Sequence, residues 1–141
     1  MTDLSFTFLS VRMFAAGTLL RTGIDPDDFT PVEELSAGET IYDPVSGRFH
    51  DILEMSCGTL DREKARARGM EVYRLAPSMT NRPVTCMIES RDMSRARLSA
   101  SARLSASAPQ AAAETGEGVY YGLSFDSRVV VDTGAALCEI R

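Results

Sequence analysis

Residues 119–131 carry the strongest strand signal in the chain and read Val119-Tyr120-Tyr121-Gly122-Leu123-Ser124-Phe125-Asp126-Ser127-Arg128-Val129-Val130-Val131. Val, Tyr and Phe, which are enriched in strands, recur throughout this stretch. Gly134 then provides a turn before the apolar residues 135–140. The sequence therefore predicts β structure at the carboxyl end of the chain.

Apolar residues elsewhere recur more often at every second position than with the 3.6-residue period of a helix. The segments that read as strands in this way are 4–8, 18–22, 41–43, 49–55, 71–75 and 84–88. Gly and Pro turn signals interrupt them roughly every 8–12 residues, a spacing typical of a sandwich or barrel. Since 141 residues suit one domain, we predict an all-β fold, compact and single-domain.

One short helix is predicted between Thr59 and Gly69. This segment is rich in Arg, Glu, Lys and Ala, which are good helix formers, and Gly69 is a suitable residue just beyond a helix end. Because the segment has almost no apolar face, we expect it to lie on the surface, as one or two helical turns or as a polar loop.

The formal net charge of −5 is unevenly distributed along the chain. Residues 1–55 carry ten acidic and three basic side chains, whereas residues 56–97 carry five acidic and nine basic ones. Binding to duplex nucleic acid requires a dominant positive field, so this balance excludes nucleic acid as a main partner. We interpret the basic stretch as a solvated surface segment.

Histidine and cysteine are scarce, which limits the chemistry available to the chain. Cys57, Cys86 and Cys138 are far apart, and His50 has no neighbouring metal-ligating residue. We predict no metal site and no cofactor, with Cys57 and Cys86 as packed thiols and His50 as a surface or hydrogen-bonded residue. The acidic pairs and triads lack the spacing of a calcium loop and are expected to be solvated turns; they are Glu33-Glu34 and Asp25/Asp27/Asp28.

The amino terminus does not resemble a secretory signal. Asp3 lies where a signal peptide carries Lys or Arg, and Arg12 ends the apolar run from Leu4 to Val11. No stretch of the sequence approaches the roughly 18 apolar residues of a membrane span. We therefore expect a soluble, cytoplasmic protein without a membrane partner.

An internal repeat, Ala-Arg-Leu-Ser-Ala-Ser, occupies residues 96–101 and recurs at 102–107. As a strand, the repeat places Leu and Ala on one face and only Arg and Ser on the other. Strand edges with free backbone groups recruit partners. The Arg/Ser face of residues 97–107 is therefore a candidate docking strand for an unknown protein partner.

Two blocks of the sequence carry a family resemblance. Residues 13–22 read Met-Phe-Ala-Ala-Gly-Thr-Leu-Leu-Arg-Thr, and residues 31–41 read Pro-Val-Glu-Glu-Leu-Ser-Ala-Gly-Glu-Thr-Ile. Together they resemble the opening of a Hint (Hedgehog/intein) domain, while residues 119–140 resemble the closing block of the bacterial Hint subfamily. The resemblance implies a pseudo-twofold β fold over residues 13–141, preceded by a lead strand in residues 1–12.

Hint domains cleave their own chain, and the resemblance implies where the reactive groups should be. In the family a Cys or Ser at the first position attacks the preceding carbonyl, helped by a His in a later Thr/Ser-x-x-His block. In this sequence the reactive positions are Met13, Met93 (within Ser90-Arg91-Asp92-Met93), Gly122 and Arg128. A thioether cannot form an acyl intermediate. We therefore predict that the chain is not an enzyme but a catalytically inactive Hint-like domain with a structural or protein-interaction role.

The alternative is residual autoprocessing with a non-standard nucleophile. The residues considered for this role are Ser10, Cys57 and Cys86, each of which carries a hydroxyl or thiol. Because 12 residues precede Met13, such a cleavage would release only a short peptide. This shortness favours the inactive interpretation.

Overall fold

Twelve strands, one α-helix and a single turn of 3₁₀ helix form the part of the chain that the structure, a computed structural model, describes. The described residues are 9–75, 84–90, 118–134 and 137–140. The elements are β1 (Leu9–Ser10), β2 (Met13–Ala15), β3 (Leu19–Arg21), β4 (Phe29–Pro31), the 3₁₀ helix (Val32–Glu34), β5 (Thr40–Asp43), β6 (Arg48–Asp51), β7 (Glu54–Leu60), α1 (Arg62–Ala67), β8 (Met70–Leu75), β9 (Val84–Glu89), β10 (Gly118–Ser124), β11 (Val129–Asp132) and β12 (Leu137–Ile140). The predicted all-β fold class is confirmed.

The strand-rich stretch 119–131 supplies β10 and most of β11, which belong to different sheets. β10 lies inside a five-stranded antiparallel sheet with the order β7-β10-β2-β9-β8. It pairs with β7 over its whole length, from Gly118 opposite Leu60 to Ser124 opposite Glu54. On its other side Tyr121 is opposite Phe14 of β2. The carboxyl-terminal segment therefore joins regions that are distant in sequence.

Three smaller sheets surround this one. β1, β12 and β11 form a three-stranded sheet in which β1 and β12 run parallel, with Leu9 opposite Cys138. β3 and β4 form one antiparallel pair, and β5 and β6 form another. The predicted lead strand thus contributes Leu9–Ser10 to the sheet, while residues 1–8 lie outside the described part. The pseudo-twofold arrangement and the boundary after residue 12 stay predictions.

Alternation along the strands divides the core into two layers, one on each face of the five-stranded sheet. The larger layer includes Phe14 and Cys86 and continues into the buried side chains of β3, β5, β11 and β12. The smaller layer includes Met13, Met87 and Tyr120 and is covered by α1. Neighbouring residues of β2 therefore point to opposite sides of the sheet.

The helix forms inside the predicted segment, but it begins later than Thr59, because Thr59 and Leu60 belong to β7. The Asp61 carboxylate caps α1 by accepting a hydrogen bond from the Lys64 backbone N–H. Gly69 adopts a φ of +75° just after the helix, a conformation that favours glycine. α1 has a narrow apolar contact rather than an apolar face, since Ala65 is the buried residue along its length.

The predicted strand 49–55 is divided in the structure. β6 ends at Asp51, and the Ile52 backbone N–H donates to the Glu39 carbonyl. The next residue, Leu53, donates to Ser124 of β10, so the chain passes here from the β5–β6 hairpin to the large sheet. Burial alternates from Phe49 to Leu53, with Ile52 facing the core, and the alternation breaks at Glu54, which is exposed like Leu53. Among the described residues, no helix is long and apolar enough to cross a membrane.

Candidate functional site

Two adjoining grooves lie on either side of the Arg12–Met13 peptide bond. One has a volume of about 350 Å³ and is bordered by β1, β7 and β10; the other has a volume of about 800 Å³ and extends to the end of α1. Arg12, Ser56 and Glu89 line both grooves. The short connection between β1 and β2 therefore separates two concave surfaces whose walls come from distant parts of the chain.

Met13 and Gly122, two of the four predicted degenerate positions, lie side by side at this place. The β2–β10 register, with Tyr121 opposite Phe14, brings Gly122 next to Met13. A Cβ atom built on Gly122 would lie 3.7 Å from Met13 Cγ and 3.4 Å from the Arg12 carbonyl oxygen. It would also lie 2.7 Å from Ser56 Oγ, so the Ser56 hydroxyl occupies the space beside Gly122.

The remaining two degenerate positions are not part of this arrangement as far as the structure describes the chain. Arg128 precedes β11, and its Nε lies 3.1 Å from Oε2 of Glu139 on β12. Arg128 therefore makes an ion pair on the three-stranded sheet. Met93 lies outside the described residues, as does the predicted docking strand 97–107.

An ion pair bridges the two grooves. Arg12 Nη1 lies 2.9 Å from Glu89 Oε2, with the Arg12 side chain 58% exposed and the Glu89 side chain 25% exposed. Glu54 and Arg68 extend this charged lining, one in each groove, and Ser10 and several other serines add hydroxyl groups. Such an exposed pair contributes little to folding, so its charges are accessible to a ligand or a partner.

The three predicted nucleophile candidates differ in accessibility. Ser10 lines the smaller groove, and Cys57 is exposed and lines the larger one. The interpretation of Cys57 as a packed thiol was therefore wrong: its side chain is exposed on β7, which among the described strands has β10 as its one neighbour. A hydrogen bond to Cys57, then burial and the charges of Cys57 and Glu33, raise the pKa of the facing Tyr121.

The other two cysteines are buried and unavailable for chemistry in the folded chain. Burial, followed by the proximity of Cys138, raises the pKa of Cys86 well above its ordinary value. Burial, followed by the charge of Asp132, raises the pKa of Cys138 to about 12. Both thiols are therefore protonated near neutral pH, and the interpretation of Cys86 as a packed thiol is confirmed.

His50 occupies a position that the sequence did not indicate. Its side chain is 17% exposed, and its buried Nε2 has no hydrogen-bonding partner among the described residues. Asp43 Oδ2 lies 3.7 Å from this nitrogen. The expectation of a surface or hydrogen-bonded histidine is thus wrong at Nε2, because β5–β6 pairing turns His50 toward the interior.

The acidic residues of the predicted turns stabilise those turns. Asp25 Oδ1 accepts a hydrogen bond from the Asp27 backbone N–H, and Glu39 Oε1 accepts one from Ser36. Glu33 Oε1 accepts a hydrogen bond from the Gly17 backbone N–H. Over the described ranges, no group of three or more His, Cys, Asp or Glu side chains is placed to hold a metal ion.

Sequence reasoning missed Ser56, Arg12 and Glu89 as members of the site. No local pattern identifies them, because they meet only through the pairing of β7 with β10 and of β2 with β9. Comparisons with known protein families, with curated proteins and with solved structures find no match for this chain. The functional argument therefore depends on the residues and their geometry.

Proposed function

We propose that this chain is a catalytically inactive Hint-like domain that serves as a structural or protein-interaction module. The observation that supports it most directly is the convergence of Met13 and Gly122 on the Arg12–Met13 peptide bond. Under the resemblance, this is the bond that the family cleaves. The two positions to which the resemblance assigns reactive groups both border this bond, and neither carries a reactive side chain.

The chemistry of this place supports an inactive role. The Met13 thioether has no proton to lose, and its side chain is packed in the smaller core layer with Met87 and Tyr120. Gly122 has no side chain that could transfer a proton. The single histidine of the sequence, His50, lies instead on β6 beside Asp43. Self-cleavage by the mechanism of the family therefore lacks both its nucleophile and its proton-transfer group.

Mass spectrometry of the full chain tests this proposal. We expect one intact mass after prolonged incubation with thiol or hydroxylamine, reagents that would release residues 1–12 from a thioester or ester at position 13. A Met13→Ala variant serves as the matched control and should give the same result. Appearance of a fragment that starts at Met13 in the unmodified chain would overturn the proposal.

Residual autoprocessing remains a second proposal because hydroxyl and thiol groups line both grooves. Ser56 Oγ and the Arg12 carbonyl oxygen both lie beside Gly122, while Ser10 and Cys57 line the smaller and the larger groove. If cleavage occurs, replacing its nucleophile by Ala must abolish it, so the variants to compare are Ser10→Ala, Ser56→Ala and Cys57→Ala. Cys86→Ala is the control, since burial holds that thiol away from solvent.

The protein-interaction role requires a partner surface. The Arg/Ser face of residues 97–107 is our sequence-based proposal for it, and residues 91–117 lie outside the described part. Deleting the repeat 96–107 should abolish capture of a protein partner without unfolding the chain. Unchanged capture by the deletion variant would remove this segment from consideration.

A further inference from the structure

An exposed apolar strip covers the outer side of the β5–β6 hairpin. The Tyr42 and Phe49 rings have centroids 5.2 Å apart, and Phe49 remains 49% exposed. Arg21 lies over the Tyr42 ring, with Cζ 4.9 Å from its centroid, and donates a hydrogen bond to the carbonyl of Ile24. The Ile24 side chain is 65% exposed. We call Ile24, Tyr42 and Phe49 the knob.

Acidic side chains outnumber basic ones next to the knob along the chain. Asp25 directly follows Ile24, and Asp51 lies two residues beyond Phe49 on the same strand face. The exposed carboxylates of this region are Asp25, Asp27, Asp28, Glu39 and Asp51, against the two basic side chains Arg21 and Arg48. An exposed apolar strip with mainly negative charge near it is typical of a surface that binds an oppositely charged partner.

A surface with complementary properties lies next to α1. The larger groove has methionine in its lining, from Met13 and Met70, and its volume of about 800 Å³ is enough for an aromatic side chain. Arg12 and Arg68 also line this groove, and Arg12 is paired there with Glu89. Lys64 and Arg66 of α1 are exposed near Arg68, with Arg66 Nε 3.7 Å from Glu71 Oε1. We call this groove, together with Lys64, Arg66 and Arg68, the socket.

One chain cannot place its own knob in its own socket. The hairpin contacts β11 and β3, on the side of the large core layer. α1 instead covers the opposite face of the five-stranded sheet, where Ala65 packs in the smaller core layer. The two surfaces are therefore separated by the sheet and both core layers, and only another molecule can bring them together.

We propose that the protein associates head to tail, with the knob of one copy seated in the socket of the next. Burial of Phe49 and Ile24 provides the favourable apolar term, and the acidic rim of the knob meets Lys64, Arg66 and Arg68. This inference rests on the proposed function in one respect, namely that the groove is not used in catalysis. The interface is heterologous, so a pair retains one unused socket on the first copy and one unused knob on the second, and further copies can add to either end.

Sedimentation velocity of the full chain tests the association. Because the net charge of −5 repels copies at long range, the measurement is made at about 0.1 M salt, where the Debye length is about 10 Å. We expect the sedimentation coefficient to rise with concentration up to about 500 µM, as a micromolar to millimolar Kd requires. Absence of any rise at that concentration would overturn the proposal.

Two single-sided variants localise the contact. Phe49→Ser removes the centre of the knob and Arg68→Glu reverses a charge of the socket; each should weaken association at least about tenfold. Both residues are exposed, so neither change should affect folding. Val119→Ser is the matched control, since Val119 is an exposed apolar residue outside both surfaces. Unaltered association of both knob and socket variants would contradict the proposal.

Mixing the two variants distinguishes head-to-tail contact from a symmetric dimer. Phe49→Ser retains a native socket, and Arg68→Glu retains a native knob, so the mixture should form a one-to-one complex although neither variant associates alone. If the mixture stays monomeric, the head-to-tail arrangement is wrong. Failure of the proposed function is seen separately, as a fragment starting at Met13 in the mass spectrum.

Discussion

The β5–β6 turn and the groove at Arg12–Met13 both contain several polar groups, but those of the turn are buried and those of the groove are largely exposed. The Asp43 side chain is only 5% exposed, and it accepts backbone hydrogen bonds from Val45 and Ser46 through Oδ1 and from Val130 through Oδ2. In the groove, the charged groups of Arg12 are directed to solvent. Buried polar groups with complete partners hold a fold together. Exposed ones cost little to change and are available for recognition.

Replacing Asp43 should destabilise the β5–β6 turn and lower the free energy of unfolding more than the other changes below. Asp43→Ala leaves three backbone N–H groups without their acceptor, and we expect a loss of about 3–5 kcal/mol in the free energy of unfolding. Urea denaturation measures this loss. Arg12→Ala, which removes only an exposed ion pair, should cost less than about 1 kcal/mol.

A conservative change separates the two oxygens of the Asp43 carboxylate. Asp43→Asn keeps one oxygen for the Val45 and Ser46 donors but places an amide NH₂ toward the Val130 N–H, so an intermediate loss is expected. If Asp43→Ala costs no more than Arg12→Ala, then the turn and the groove do not differ in the way described here.

Alkaline pH should expose the difference between buried and groove thiols. The pKa of Cys138 is raised from 9.0 to about 12 in the fold, so the folded chain keeps a proton that the unfolded chain loses. The stability that the folded chain gains by keeping this thiol protonated is fully present below pH 9 and decreases as pH rises toward 12. By pH 10 the stability should fall by about 1 kcal/mol from this thiol. Chemical denaturation between pH 8 and about 10.5 measures the slope.

Matched cysteine variants show which thiol causes the fall in stability at alkaline pH. Cys138→Ala should reduce the fall in stability between pH 8 and about pH 10, even though it lowers the stability at pH 8. Cys57→Ala, which changes the exposed thiol of the larger groove, should reduce the fall less than Cys138→Ala does, because it acts only through the raised pKa of the facing Tyr121. Equal slopes in all three proteins would show that burial of Cys138 has no part in the alkaline transition.

The contact between Gly122 and Ser56 should give the smallest effect. A methyl group at position 122 would meet Ser56 Oγ at 2.7 Å, so Gly122→Ala should cost about 1 kcal/mol. Ser56→Ala alone should change stability by less than about 0.5 kcal/mol. In the double variant Gly122→Ala/Ser56→Ala the Ser56 Oγ atom is absent, so at least half of the stability lost in Gly122→Ala should be recovered. Additive effects in this double-mutant cycle would contradict the contact.

Strand positions and the helix were accessible from the sequence because they follow from local patterns. β5, β8, β9 and β10 were predicted from alternation and from β-branched or aromatic residues, and α1 from its helix formers and Gly69. The division of 49–55 was missed because the backbone N–H groups of Ile52 and Leu53 pair with residues 39 and 124, which belong to other parts of the chain. Local periodicity contains no information about such distant contacts.

The candidate site was only partly accessible for the same reason. Met13 and Gly122 were identified through the family resemblance, whereas their proximity is a result of strand pairing. The exposure of Cys57 also depends on pairing, because β7 lies at the edge of the sheet as far as its strands are described. His50 was interpreted as an isolated residue, since Asp43 becomes its neighbour only when the hairpin closes.

The sequence by itself determined that this chain is all-β with one short helix, because side-chain alternation, turn residues and helix propensity act over a few residues. Under the proposed family resemblance, it also assigned unreactive side chains to the reactive positions Met13 and Gly122. Only the tertiary structure decided that these positions face Ser56 and the Arg12–Glu89 ion pair, and that knob and socket lie on opposite sides. Strand register and sheet order place residues more than a hundred positions apart within a few ångströms, and these long-range pairings depend on how whole strands bury their apolar faces together.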